Sequence, residues 1–154
     1  MDDFRQTPIG FYNLGLAYLE AADALAEKEL SKDDRFSLAF DHPIRHLYAH
    51  AWELFQKACL AAQGMKPSKM RNRFGHSLAK AWDAIDKERF EILDLHPGTR
   101  LFAENLDGFH PTKKYAYPEV GYRQDYTLSY LRAAFERFKI NRAEILRLFP
   151  TAML

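Results

Sequence analysis

A chain of 154 residues, 47% apolar, 28% charged and 14% aromatic, has the size and profile of one globular domain rather than of a disordered polymer. A single cysteine, Cys59, excludes an intrachain disulfide framework, and a net charge of +1 is uninformative until it is divided along the chain. The acidic start MDDFRQT lacks the basic and apolar regions of a signal peptide, and no run of about 18 apolar residues offers a membrane span, so a cytoplasmic protein without a membrane partner is expected.

Thr7-Pro8 reads as an N-cap followed by a proline in the first helical position. Phe11, Leu14, Tyr18, Ala22 and Leu25 then recur at helical spacing, so a first helix is expected from Pro8 to Glu29. The polar stretch SKDDR ends it. Asp41-His42-Pro43 repeats the capping pattern with His42 as the cap, and Ile44, Leu47, Ala51, Leu54, Phe55, Ala58 and Ala62 mark the buried stripe of a second helix. Gly64, with Pro67 beyond it, supplies the stop.

Gly75-His76-Ser77 opens a third helix that carries Leu78, Ala81, Trp82 and Ile85 inward, and a short helix is expected from Thr99 to Leu106 after a Pro-Gly break. A Pro- and Tyr-rich connector from Gly108 to Asp125 leads to a last helix from Thr127 to Phe149. That helix presents Leu128, Leu131, Phe135, Phe138, Ile145 and Leu146 as apolar positions. No strand-like alternation persists, and no repeat is present. The expected architecture is all-α: one domain over residues 1–154, an antiparallel bundle of four to five helices.

Charge is unevenly spread. From Leu54 to Trp82 the chain holds Lys57, Lys66, Lys69, Arg71, Arg73 and Lys80 and no acid, so the remainder carries 16 basic against 21 acidic residues. A local positive patch on an otherwise acidic protein suits a phosphate-bearing partner, RNA or a nucleotide, although a solvated connector would look the same.

His50, Glu53 and Lys57 stand at i, i+3 and i+7 on one face of the second helix, flanked by apolar neighbours that set the stripe near the core edge. A partly buried charge needs a partner, and Arg71 and His76 are candidates. In one continuous helix these two would lie roughly 140° apart, and Gly75 offers the break that could bring them together. An imidazole in the first turn of the third helix would meet the positive end of its dipole, while Arg71 could grip a phosphate with two parallel hydrogen bonds. The same residues also suit a catalytically silent bundle in which Glu53 and Lys57 tie helices and His76 caps one.

His42, His46 and His50 recur every fourth residue, a spacing at which two imidazoles can share zinc, but the helix adds no Cys or Asp to that face and has no HExxH, so no metal site is expected. Tyr115, Tyr117 and Tyr122, beside Lys113, Lys114 and Arg123, could stack on bases or simply anchor the connector. No glycine loop for phosphate and no nucleophile elbow occurs, and no cofactor is expected.

HAWELFQKACLAAQG, then GHSL after a basic spacer, then KYAYP, together resemble the HEPN superfamily of small helical-bundle proteins over about Phe40 to Pro118. The resemblance implies a His-Ala-x-Glu-Leu-x-x-Lys-Ala helix, a Gly-His opening to the next, and a Tyr-Pro element holding Tyr117 before the last helix. It further implies a metal-independent ribonuclease of toxin or defence type, formed at a homodimer interface and often partnered by a nucleotidyltransferase antitoxin. There His76 would move a proton at the ribose 2′-hydroxyl and Arg71 would bind the scissile phosphate. Asn72 fits the position directly after the Arg, and His50, Glu53, Lys57 and Arg73 fall to supporting or binding roles. Leu78 stands where nuclease members place Tyr, and Ser77 where the Gly-His-Asp-Leu form has Asp or Asn. The resemblance therefore falls between a cleaving subtype and one of unassigned activity, leaving a silent interaction or dimerisation module as the alternative.

Overall fold

In the computed structural model, the residues described are 4–31, 41–93, 100, 104–106 and 127–150, with the side chains of 41 and 42 left aside. Every regular element among them is helical. These are α1 (Pro8–Leu30), α2 (Asp41–Ala62), α3 (Pro67–Phe74), α4 (Leu78–Asp83), α5 (Leu128–Phe135) and α6 (Arg142–Leu148), with 3-10 turns at Phe4–Gln6, Glu91–Leu93 and Glu136–Phe138. Arg100 and residues 104–106 are also helical, in the stretch where the short helix was expected. The Gly108–Asp125 connector, Tyr117 included, lies outside the described residues.

Thr7 caps α1 as anticipated, its hydroxyl accepting from the Gly10 amide (3.1 Å) while donating to the Phe4 carbonyl (2.7 Å). The buried stripe is rotated from the expected one. Phe11 and Ala22 are buried as expected, but Tyr12, Gly15, Leu19, Asp23 and Ala26 share the inward face, Tyr18 and Leu25 sit at the margin, and Leu14 is exposed. The cause is steric. A Cβ at Gly15 would lie 2.9 Å from two carbons of the Phe55 ring, so glycine, not a larger apolar residue, marks the closest approach of α1 to α2.

Contacts pair Gly15 with Phe55, Tyr18 with His50 and Asp23 with Tyr48, so numbers fall along α2 as they rise along α1. The two helices are therefore antiparallel. α2 begins at Asp41, so His42 lies within the helix and is not its cap; Pro43 remains in the first turn, where no intrahelical donor is missed. Nearly every α2 residue from Tyr48 to Leu60 is buried, because α1, α3, α4 and α5 all pack around this helix.

Gly64, at φ +89°, ends α2, with the Met65 amide donating back to the Leu60 carbonyl (3.0 Å). The acid-free stretch that follows, to which the periodicity assigns no helix, forms α3. Pro67 is pre-set for the first helical turn, while Met70 and Phe74 are buried four residues apart, so α3 rests on α2 through one short face.

The expected last helix is two. Thr127 caps α5 by accepting from the Tyr130 amide (3.2 Å), but Asn141 caps a new helix by accepting from the Glu144 amide (3.0 Å), and Lys139 leaves the helical region at ψ 67°. The break carries Phe138 onto Phe55 (centroids 4.5 Å) and Phe149 onto Tyr12 (4.9 Å).

Candidate functional site

Glu53 faces α3 and α4 from the buried centre of α2, with its side chain 6% exposed. A carboxylate withdrawn from water needs charged or hydrogen-bonding partners. Lys57, one turn along, donates from Nζ to Oε1 at 2.6 Å, and Nδ1 of His76 lies 3.1 Å from the same oxygen. Because an ionised carboxylate only accepts, the contact assigns a proton to Nδ1 of His76.

The turn after α3 explains how a residue 23 positions away reaches Glu53. Gly75 adopts φ +56° and its amide donates to the Arg71 carbonyl (3.0 Å), while the Ser77 amide donates to the Phe74 carbonyl (3.0 Å). Ser77 then caps α4, accepting from the Lys80 amide (3.3 Å). His76 therefore precedes the cap and lies outside the first turn of the helix, correcting its expected position; what orients its ring is the Glu53 carboxylate. The break foreseen at Gly75 is present.

Lys57, Arg71 and His76 line one open cleft of about 210 Å³. Its other walls are Phe11, Pro67 and Met70, with Gln6 at the side. Pro67, Met70 and Arg71 stand at i, i+3 and i+4, on a single face of α3. The His76 side chain is 48% exposed and that of Lys57 27%, so solvent reaches both. Arg71 is exposed and forms no salt bridge among the described residues.

Not every expected member belongs. His50 does not line the cleft: its Nδ1 is 3.6 Å from Glu53 Oε2, too far for a hydrogen bond, and its ring meets Tyr18 edge-on at 4.4 Å. Asn72 and Arg73 are exposed but do not line the cleft, and the Arg73 guanidinium lies over the Phe74 ring (5.2 Å). Tyr117 lies outside the described residues. Cys59 is buried in the core, and desolvation pushes its thiol well above the usual range, so it supplies no nucleophile.

Among the described residues, no group of three or more His, Cys, Asp or Glu side chains could hold a metal ion, and no helix is long and apolar enough to cross a membrane. Sequence reasoning missed Gln6, Pro67 and Met70 as cleft residues. Pro67 signalled a helix start but was taken as a stop; Gln6 carried no signal. Comparison with protein-family models, with curated proteins and with solved structures returned no match.

Proposed function

We propose that this chain is a HEPN-like, RNA- or nucleotide-binding protein that cleaves single-stranded RNA without a metal ion, acting as a cytoplasmic homodimer with a nucleotidyltransferase-type antitoxin as partner. The observation that carries the reading is the 3.1 Å contact between Glu53 and Nδ1 of His76 at a cleft shared with Arg71. With the proton on Nδ1, Nε2 is the nitrogen that acts as base. It takes the proton of a ribose 2′-hydroxyl, whose oxygen attacks phosphorus. The bond to the 5′-oxygen breaks as a 2′,3′-cyclic phosphate forms, and the leaving oxygen is protonated by an imidazolium or water. Arg71 offsets the charge on the phosphate oxygens, and Lys57 adds a second cation.

His76→Ala should lower cleavage of single-stranded RNA in EDTA by about 10²- to 10⁴-fold, the usual worth of a positioned acid or base, with the circular dichroism spectrum retained. Undiminished cleavage would remove His76 from the mechanism.

A second reading, a silent interaction module, draws on the same ion pairs. Glu53 joins α2 to the turn before α4 through His76, and Arg71 stands at the C-terminal end of α3, where a cation complements the helix dipole. RNA affinity against salt separates the two. Phosphate contacts give a steep loss, with a slope of about 0.7 per contact on single strands, whereas absent or salt-independent binding favours the module.

A further inference from the structure

The cleft combines two chemistries, and the function proposed above uses only one. Its cations and imidazole account for a phosphate and a ribose hydroxyl. They leave unexplained an apolar wall built from two separate elements, Phe11 of α1 with Pro67 and Met70 of α3, and the amide of Gln6 beside it.

Gln6 is held by its backbone. The 3-10 turn Phe4–Gln6 folds back on α1 through the hydrogen bonds of Thr7, and it approaches so closely that a Cβ on Gly10 would lie 2.2 Å from the Phe4 carbonyl oxygen. Only glycine permits that approach. An exposed glutamine on a backbone fixed this tightly keeps an amide, with its carbonyl acceptor and NH₂ donors, within reach of the cleft edge.

We propose that the cleft is a one-nucleotide site in which a nucleobase lies on Pro67 and the exposed edge of Phe11 with buried Met70 beneath, its phosphate meets Arg71 and Lys57, and Gln6 reads the base edge. This rests on the nucleotide-binding reading of the same cleft. At about 210 Å³ the space falls below the roughly 300–1,000 Å³ of sites for drug-sized ligands, so it takes the base and its phosphate contacts while the rest of the nucleotide stays in solvent. A glutamine amide pairs with an amino group beside a ring-nitrogen acceptor, the edge adenine offers, whereas the adjacent acceptors N7 and O6 of guanine suit Arg or Lys. Cytosine offers a similar edge with less ring to stack. Adenine is therefore the preferred base and cytosine the second.

Titration calorimetry at low salt with the four ribonucleoside 3′-monophosphates, ribose 5-phosphate and inorganic phosphate tests this on the intact chain. Adenosine 3′-monophosphate should bind about tenfold more tightly than ribose 5-phosphate, the gain expected from stacking one base. Gln6→Ala should bring the two purine nucleotides within about twofold of each other, and the two pyrimidine nucleotides likewise, without changing affinity for inorganic phosphate, since one neutral hydrogen-bonded contact separates the members of each pair while stacking still separates the pairs. Arg71→Ala should weaken all the ligands alike. Equal binding of ribose 5-phosphate and the nucleotide, or an unchanged order of bases in Gln6→Ala, overturns the proposal. His76-dependent RNA cleavage without base preference would overturn this inference alone, and base-selective nucleotide binding without cleavage would overturn the ribonuclease reading alone.

Discussion

Among the described residues two carboxylates, Asp23 and Glu53, sit in the interior, each with a lysine and a third polar group, and they are built to opposite ends. Asp23 of α1 accepts from the Tyr48 hydroxyl (2.5 Å) and from Lys139 Nζ (2.8 Å), residues 25 and 116 positions away. Glu53 of α2 takes its lysine from its own next turn and meets a histidine that is half open to solvent. The partners at Asp23 hold fixed protonation states. Burial, followed by the hydrogen bond to Asp23, raises the Tyr48 hydroxyl far above its usual value. For Lys139 desolvation is opposed and outweighed by hydrogen bonds to Asp23 and Glu136, which raise its pKa. Such a cluster locks α1, α2 and the segment after α5 together and exchanges no proton near neutrality. At Glu53 the third partner is an imidazole, the side-chain type able to give and take a proton at such pH. A buried carboxylate thus serves as a rivet in one place and as a support for chemistry in the other, the difference lying in what the partner can do.

The largest effect that would break this contrast belongs to the rivet. Asp23→Ala leaves the buried Tyr48 hydroxyl without its acceptor, while Lys139 keeps Glu136, and should cost about 1–3 kcal/mol in denaturant unfolding, while RNA cleavage measured well below the new midpoint stays within twofold. A loss of cleavage in folded Asp23→Ala would erase the division of labour. Glu53→Gln should do the reverse. It keeps the shape but can present its amide donor to His76, so cleavage should fall on the order of 10²-fold, less than the ~10⁴ that a comparable carboxylate-to-amide change costs a serine protease, with affinity for inorganic phosphate retained.

The smallest effect concerns alkali. Burial raises the Tyr12 hydroxyl from 10.0 to about 12, opposed by a backbone hydrogen bond at Ile140. Below pH 10 both folded and unfolded chains hold this proton; above it the unfolded chain releases the proton first, so the contribution to stability is lost as pH climbs toward about 12. Tyr12→Phe should flatten the fall in stability across that window, read from unfolding midpoints alongside tyrosinate absorbance. An unchanged pH slope would mean that Tyr12 is not the group responsible.

The sequence made the helical class, the start of α1 and the stop at Gly64 legible, because each depends on local signals: periodicity, a cap and a left-handed residue. The rotation of the α1 stripe was hidden. It depends on Gly15 meeting a ring from another helix, and periodicity alone ranks Leu14 above glycine. The split after α5 was hidden for a related reason, since Asn141 at a helix start resembles any polar residue on a helix surface, and Phe138 and Phe149, eleven residues apart, share a face in an unbroken helix as well. At the site, Arg71, His76, Lys57 and Glu53 were legible as residue types with helical and loop spacing. Gln6 was not, because its relation to the cleft exists only after the N-terminal turn has folded back over Gly10.

The Tyr12 hydroxyl donates to the Phe138 carbonyl across 126 residues of chain (2.5 Å). During translation, at roughly 5–20 residues per second, α1 and α2 emerge first and can pair as a hairpin, but the aromatic seat of α1 has no occupant until Phe138 leaves the ribosome. The early hairpin therefore waits with apolar surface uncovered for several seconds, a window in which a holdase chaperone has something to grasp.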